Sequence, residues 1–99
     1  MFEKIVNDFL AHMRQCGGSW QNWYVGIAED PKARLFTDHN VSKDGDSWIH
    51  SAHAGTDTVA RNVEQYFLSY GCVGGPGGGS SRSCFVYAYK VAPHTNENN

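Results

Sequence analysis

The N-terminal segment carries an apolar stripe with helical period. Apolar side chains recur at intervals of three and four across residues 2–13, at Phe2, Ile5, Val6, Phe9, Leu10 and Met13. Because positions three and four apart share one face of an α-helix, this pattern predicts a first helix. The sequence Gly17-Gly18-Ser19 ends it, since paired glycines favour a break in helical structure.

A strand followed by a short helix comes next. The run from Trp20 to Ile27 is rich in aromatic and β-branched residues and predicts a buried strand. Asp30 before Pro31 predicts an N-cap followed by the first helical position, so a short second helix should extend to about Asp38.

The second half of the chain predicts two more strands and a third helix. Residues 48–54 are a plausible strand, and residues 85–91 form the clearest strand pattern of the chain. Between them a helix should begin near Thr56 or Asp57 and end at Gly71. Its apolar face would hold Val59, Val63, Tyr66, Phe67 and Tyr70.

The elements follow one another as helix, strand, helix, strand, helix, glycine-rich loop and strand. This order predicts an α+β fold in which a small three-stranded antiparallel sheet is flanked by helices. We expect a single domain over residues 1–92 and a polar, frayed C-terminal tail over residues 93–99.

Composition narrows the classes of function. The 99 residues include 8 Lys and Arg against 10 Asp and Glu, a net charge of −2, which disfavours nonspecific DNA binding through phosphates alone. Three cysteines lack the spacing of a zinc site or a disulfide framework, so free thiols in a reducing cytoplasm are expected. Because the N-terminal segment already carries Glu3, Lys4 and Asp8, we expect it to be neither a signal peptide nor a membrane span.

A short motif resembles a known family of enzymes. Tyr24-Val25-Gly26 lies on the first predicted strand, and Arg34 follows ten residues after the tyrosine. This spacing resembles the second half of the signature of GIY-YIG nucleases, and the resemblance covers residues 23–71, about half the chain. It implies a GIY-YIG-like fold and an activity on phosphodiesters.

The resemblance also implies roles for individual residues. Tyr24 would be the second tyrosine of the family, and Arg34 would bind a phosphate oxygen with its fork of donors. His39 would assist from five residues further on. Glu64 would hold the divalent metal, Mg²⁺ or Mn²⁺, that polarises the phosphate.

The family's first tyrosine has no counterpart at its usual position. It would fall near Arg14 and Gln15, where no Gly-Ile-Tyr is present. We therefore expect the C-terminal strand to replace the family's first strand, with Tyr87 or Tyr89 beside Tyr24. Both side chains should point to one face, since alternate residues of a strand do so.

The glycine-rich loop of residues 71–83 is the remaining candidate. Backbone N–H groups around Gly77 and Gly78 could cradle a phosphate, to which Arg82 would add charge. The loop lacks the Gly-Lys-Ser/Thr ending of a nucleotide-binding P-loop, so a simple helix-to-strand connector is the competing interpretation.

Three functions stay open at this stage. The first is a divergent metal-dependent phosphodiesterase acting on nucleic acid or a small nucleotide. The second is a non-catalytic protein that captures a nucleotide or other phosphate ligand, with aromatic side chains stacking on the base. The third is a small protein-interaction or inhibitor module. For so small a domain, forming a homodimer would add affinity and complete the site.

Overall fold

The computed structural model describes residues 1–51, 56–75 and 80–98. In this part of the chain the helices are α1 (Phe2–Cys16) and α2 (Asp57–Ser69). The strands are β1 (Trp23–Ala28), β2 (Trp48–His50) and β3 (Phe85–Lys90). A 3₁₀ turn, Trp20–Asn22, precedes β1, and a π-helix, Ala33–Asp38, follows it.

Both α-helices lie where the apolar periodicity predicts them. The buried side chains of α1 are Ile5, Val6, Phe9 and Met13. Helix α2 begins where the Thr56 hydroxyl accepts a hydrogen bond from the Val59 backbone N–H at 3.1 Å. It ends before Gly71, whose φ of +114° suits glycine. No helix of the described ranges is long and apolar enough to cross a membrane.

The three strands form an antiparallel sheet in the order β1-β3-β2. The C-terminal strand is thus central and lies directly beside β1. In the register, Tyr89 is opposite Tyr24, and Tyr87 is opposite Gly26 on one side and His50 on the other. The predicted α+β class, with a small antiparallel sheet and flanking helices, is confirmed.

The two faces of the sheet have different partners. One face packs on α2, which in turn packs on α1, and its strand residues are Trp23, Val25, Ile27, Val86 and Ala88. The opposite face is aromatic and packs against Leu35 of the π-helix, and its strand residues are Tyr24, Ala28, Tyr87 and Tyr89. This alternation follows from the two-residue period of strands, and it confirms that Tyr87 and Tyr89 share a face.

The start of β1 differs from the prediction. Trp20, the expected first strand residue, lies in a 3₁₀ turn, and the strand begins at Trp23. The reason is a local cap: the Ser19 backbone N–H donates to Asn22 Oδ1 at 2.8 Å, and the Asn22 N–H donates to the Ser19 carbonyl at 3.0 Å. These bonds stabilise a turn that the aromatic composition does not reveal.

Strand β2 is shorter than the predicted span of residues 48–54. It ends at His50. At the next residue the Val86 N–H donates to the side-chain oxygen of Ser51, Oγ, at 3.0 Å instead of to a backbone carbonyl. The rest of the predicted strand, residues 52–54, lies outside the described residues. The prediction was therefore wrong at Ser51, where the regular ladder stops.

The C-terminal tail is packed on the domain, so the expectation that it frays was wrong. The Asn96 backbone N–H donates to the His39 carbonyl at 2.8 Å. Asn40 Nδ2 donates to the His94 carbonyl at 3.0 Å, and the Thr95 N–H donates to the Ala92 carbonyl at 3.1 Å. The bonds from Asn96 to His39 and from Asn40 to His94 hold the segment against the end of the π-helix, and the third bond forms a turn within it.

Candidate functional site

A cleft of about 430 Å³ opens beside the aromatic face of the sheet. Its walls come from β1, β3, the π-helix and α2, and both described ends of the glycine-rich loop reach it. The residues that line it include Tyr24, Gly26, Arg34, Glu64, Gly75, Ser83 and Tyr87. This volume suits a small ligand, since pockets for such ligands measure about 300 to 1,000 Å³.

The cleft brings together side chains that the sequence analysis took from four separate elements. These are Tyr24, Arg34, Glu64 and Tyr87. His39 does not line the cleft but lies directly behind it, with its Nε2 2.8 Å from Tyr87 Oη. All the residues assigned to catalysis or metal binding from the sequence are therefore neighbours in space.

Tyr87 is the tyrosine of β3 that reaches the cleft. Its ring extends across the neighbouring strand β1 at Gly26. A Cβ added at Gly26 would lie 2.5 Å from Tyr87 Oη. Tyr89 faces the same way, but its hydroxyl donates to Glu97 Oε2 at 2.9 Å, behind the cleft. The glycine of the Tyr24-Val25-Gly26 motif is what gives the second tyrosine room.

The π-helix explains the spacing between Arg34 and His39. The His39 backbone N–H donates to the Arg34 carbonyl at 2.9 Å, a bond between residues five apart. In an α-helix, residues four apart are stacked one turn above another, whereas in a π-turn residues five apart are stacked. Although five residues rather than four separate Arg34 from His39, both side chains therefore lie on the side of the helix that faces the sheet.

The Arg34 guanidinium is held in place at the mouth of the cleft. Its Nη1 donates to Asp38 Oδ2 at 2.7 Å, and the group also hydrogen-bonds Tyr87. The side chain remains 35% exposed and lines the cleft, so a ligand there can contact the guanidinium. A fixed, partly exposed guanidinium is well suited to bind a phosphate oxygen.

The protonation of His39 follows from its two contacts. Nδ1 lies 2.6 Å from the Asn96 carbonyl oxygen, which can only accept, so Nδ1 carries the proton. Nε2 then has a lone pair and accepts the hydroxyl proton of Tyr87. Burial lowers the pKa of His39, and nearby Arg34 lowers it further, although the Asn96 carbonyl raises it. The imidazole is therefore a neutral base.

A chain of hydrogen bonds connects the cleft with this base. Because Nε2 of His39 takes the only hydroxyl proton of Tyr87, the Tyr87 oxygen accepts in its hydrogen bonds with Tyr24 and Arg34. Exposure falls along the chain, from 6% for Tyr24 to 1% for Tyr87 and 0% for His39. Burial is the main reason that the pKa of both tyrosines is raised. Such a chain can accept a proton at the cleft and store it on the buried imidazole.

Glu64 reaches the cleft from α2. The residue is only 5% exposed, so Glu64 is not an ordinary solvated charge on the surface of the helix. Burial raises the pKa of its carboxyl group, and Arg61 offsets this in part. A buried carboxylate with a raised pKa is stabilised by a nearby cation, so this position fits a metal ligand or a contact to a positively charged group.

The glycine-rich loop is only partly described. Gly77 and Gly78 lie outside the described residues. Gly75 and Ser83 line the cleft, whereas Arg82 is exposed and is not among the lining residues. Phosphate binding by Arg82 and by the loop glycines remains a prediction.

Two contributors to the site escaped the sequence analysis. Asn96 contacts His39 through its backbone carbonyl, which no side-chain pattern can reveal. Glu97 accepts from Tyr89 through a carboxylate in a polar segment, and an isolated acidic residue there carries no signal. Both contacts depend on how the tail folds back.

Comparison of the chain with protein-family models, with curated proteins and with solved structures gives no match. The chemistry of the cleft therefore has to be argued from its own geometry. Among the described residues, no group of three or more His, Cys, Asp and Glu side chains forms a metal cluster. Of the carboxylates that line the cleft, Glu29, Asp30 and Glu64, only that of Glu64 is buried, so it is the candidate anchor for a metal.

The lowered pKa of His39 predicts a pH dependence of stability. In the unfolded chain the imidazole takes up a proton below its ordinary pKa of 6.5, but in the folded protein it stays neutral to lower pH. The stability linked to this difference is present in full above pH 6.5 and is lost as pH falls toward the folded pKa. We expect His39→Gln to lose this pH dependence. Urea denaturation of both proteins at about pH 7.5 and about pH 5.5 measures it. An equal stability difference at the two pH values would contradict the prediction.

Proposed function

We propose that this protein hydrolyses phosphodiesters in the 430 Å³ cleft. Arg34 binds the phosphate and neutralises the charge that develops on its oxygens. A water molecule attacks phosphorus and gives its proton to Tyr24. Tyr24 passes its own hydroxyl proton to Tyr87, and Tyr87 passes its own to His39. The phosphorus–oxygen bond to the leaving group breaks, and the leaving alkoxide takes up a proton from solvent.

One observation carries the proposal. A phosphate-binding guanidinium, a proton-accepting chain and a buried carboxylate converge on one cleft, although they come from four elements far apart in the sequence. Each of the three groups has a separate task in phosphodiester hydrolysis. Packing alone does not require the three to meet, and a solvent-facing cleft is a poor place for groups with merely structural roles.

Glu64 fits a divalent cation as the resemblance to GIY-YIG nucleases implies. Mg²⁺ usually binds proteins through one or two carboxylates and keeps several of its waters, so one buried carboxylate is a sufficient anchor. When bound, the cation would polarise the phosphate. The raised pKa of Glu64 supports this role, since a cation would relieve the cost of its buried charge.

The charge of the protein favours small or short substrates. The net charge is −2, and the acidic residues Glu29, Asp30 and Glu64 line the same cleft as Arg34. A long duplex is held mainly by many phosphate contacts, which such a surface does not provide. A cyclic nucleotide, a dinucleotide or a single-stranded end needs only the one phosphate at Arg34.

A panel of substrates tests the proposal. Full-length protein is incubated with cyclic nucleotides, dinucleotides and short single-stranded oligonucleotides, each with Mg²⁺, with Mn²⁺ and with a chelator. We expect metal-dependent cleavage, reduced about 10²- to 10³-fold in Arg34→Ala. Arg34→Lys should recover only part of the rate, because lysine lacks the planar fork. Arg14→Ala, which removes an exposed arginine of α1, is the matched control and should cleave normally.

The metal is tested separately through thermal stability. Mg²⁺ or Mn²⁺ should raise the melting temperature of the wild type, and Glu64→Gln should abolish the increase, whereas Glu3→Gln on the exposed side of α1 should retain it. Cleavage that is equally fast in Glu64→Gln and in the presence of chelator would contradict the role of Glu64.

Capture of a phosphate ligand without cleavage is the second candidate. The raised pKa of Tyr24 and Tyr87 keeps both hydroxyls protonated at neutral pH, which also suits hydrogen bonding to a bound ligand. In that case one nucleotide would raise the melting temperature without metal, would be recovered intact, and would lose its effect in Arg34→Ala. That result would overturn hydrolysis and retain the phosphate site.

A further inference from the structure

The C-terminal segment of residues 94–97 lies directly behind the proton-accepting chain. The Asn96 N–H donates to the His39 carbonyl at 2.8 Å, and the Asn96 carbonyl accepts from His39 Nδ1 at 2.6 Å. Asn96 therefore hydrogen-bonds both the backbone and the ring of His39, although the two residues are 57 positions apart in the chain. Such paired contacts fix the orientation of the ring.

Glu97 acts on the same nitrogen through Tyr89. The Tyr89 hydroxyl donates to Glu97 Oε2 at 2.9 Å, and its oxygen lies 3.2 Å from His39 Nδ1. Because the carboxylate takes the hydroxyl proton, the Tyr89 oxygen presents a lone pair to Nδ1. Nδ1 thus faces two acceptors, the Asn96 carbonyl and the Tyr89 oxygen, and both favour a proton at this position.

The consequence lies on the other side of the ring. With the proton on Nδ1, Nε2 accepts from Tyr87, and the oxygen of Tyr87 accepts from Tyr24 and Arg34, which both line the cleft. In the opposite tautomer Nε2 would donate to Tyr87, whose hydroxyl proton would then point away from His39. The direction of the whole chain therefore depends on which ring nitrogen carries the proton.

We infer that Asn96 and Glu97 are positioning residues of the cleft, which set the His39 tautomer and thereby make Tyr87 a proton acceptor toward Tyr24, which lines the cleft. The catalytic part of this inference rests on the proposed hydrolysis. The tautomer itself does not, so it can be measured in the absence of any substrate.

Nitrogen-15 NMR of the His39 ring in full-length protein provides the readout. The wild type should show the Nδ1–H tautomer. Glu97→Ala leaves Tyr89 free to donate to Nδ1, so a fraction of Nε2–H should appear, while Glu97→Gln keeps an acceptor for Tyr89 and should preserve the wild-type spectrum. A wild-type spectrum in Glu97→Gln would show that Tyr89 needs a hydrogen-bond acceptor at position 97 and not a negative charge.

Asn96 offers an internal control because it acts through its backbone. Asn96→Pro removes the N–H that anchors the residue to His39 and should also shift the tautomer, whereas Asn96→Ala retains the backbone contacts and should not. The variants that shift the tautomer should lose hydrolysis at least about tenfold, with wild-type folding confirmed by thermal melting.

The outcomes separate the two proposals. An unchanged Nδ1–H tautomer in both Glu97→Ala and Asn96→Pro would overturn the positioning role, whatever happens to hydrolysis. A shifted tautomer in these variants, in a protein whose wild type hydrolyses no substrate, would support positioning and would count against the proposed function.

Discussion

Tyr87→Phe is expected to reduce phosphodiester hydrolysis by about 10² to 10⁴, the range over which positioned acids and bases contribute. The hydroxyl joins the cleft to His39, with 2.8 Å between Tyr87 Oη and Nε2. Phenylalanine keeps the ring and its packing but removes the hydroxyl that joins the cleft to His39. Initial rates at saturating substrate and metal measure the effect.

The same substitution also affects stability, which the measurement has to take into account. Tyr87 is 1% exposed, and its loss leaves Nε2 of His39 buried without a donor, a cost of about 1 to 3 kcal/mol. Rates are therefore compared at a temperature where urea titration shows the variant to be folded. Tyr70→Phe is the control, because Tyr70 is 53% exposed at the C-terminal end of α2, is not among the residues that line the cleft and should change neither quantity. A folded Tyr87→Phe protein with nearly wild-type rates would remove Tyr87 from the proton path.

Gly26→Ala should have the largest effect on stability of any single methyl addition to the cleft. The new Cβ would lie 2.5 Å from Tyr87 Oη and 2.6 Å from Cζ, far inside contact distance. Tyr87 cannot move aside easily, since its backbone pairs with two strands and its hydroxyl is bonded to His39. We expect a loss of about 1 to 3 kcal/mol in the free energy of unfolding.

Activity should fall as well, since displacing the Tyr87 ring breaks its bond to His39. Gly75→Ala is a matched control in the same cleft, because its Cβ would meet Tyr24 Oη at 3.7 Å, an ordinary contact. Urea denaturation of the three proteins measures the difference. Equal stability of Gly26→Ala and Gly75→Ala would show that Tyr87 is free to relocate and that the close approach across β1 is not required.

Several features of the fold could be predicted because they are written in neighbouring residues. The apolar stripe of α1 and the alternation in β3 are local periodicities, and each buries the face that its period defines. The Thr56 cap and Gly71 likewise mark the ends of α2. The spacing of ten residues between Tyr24 and Arg34 likewise indicated two residues of one site, and both line the cleft.

Other features depend on partners that the local pattern does not contain. The 3₁₀ turn before β1 depends on a reciprocal cap between Ser19 and Asn22, which overrides the strand preference of Trp20. The π-helix buries Leu35 against the aromatic face of the sheet, and its wider turn, closed by the bond from the His39 N–H to the Arg34 carbonyl, places His39 above Arg34. A count of residues that assumes an α-helix therefore puts His39 one position out of register.

The sequence by itself determined the two α-helices, strand β3 and the aromatic face of the sheet, because hydrophobic periodicity is a local property, and the spacing of Tyr24 and Arg34 indicated two residues that line the cleft. Only the tertiary structure decided that β3 lies between β1 and β2, that Tyr87 rather than Tyr89 reaches the cleft, and that Asn96 and Glu97 stand behind His39. These outcomes rest on contacts between residues distant in the chain. Such contacts form because the whole domain has to satisfy its buried polar groups at once.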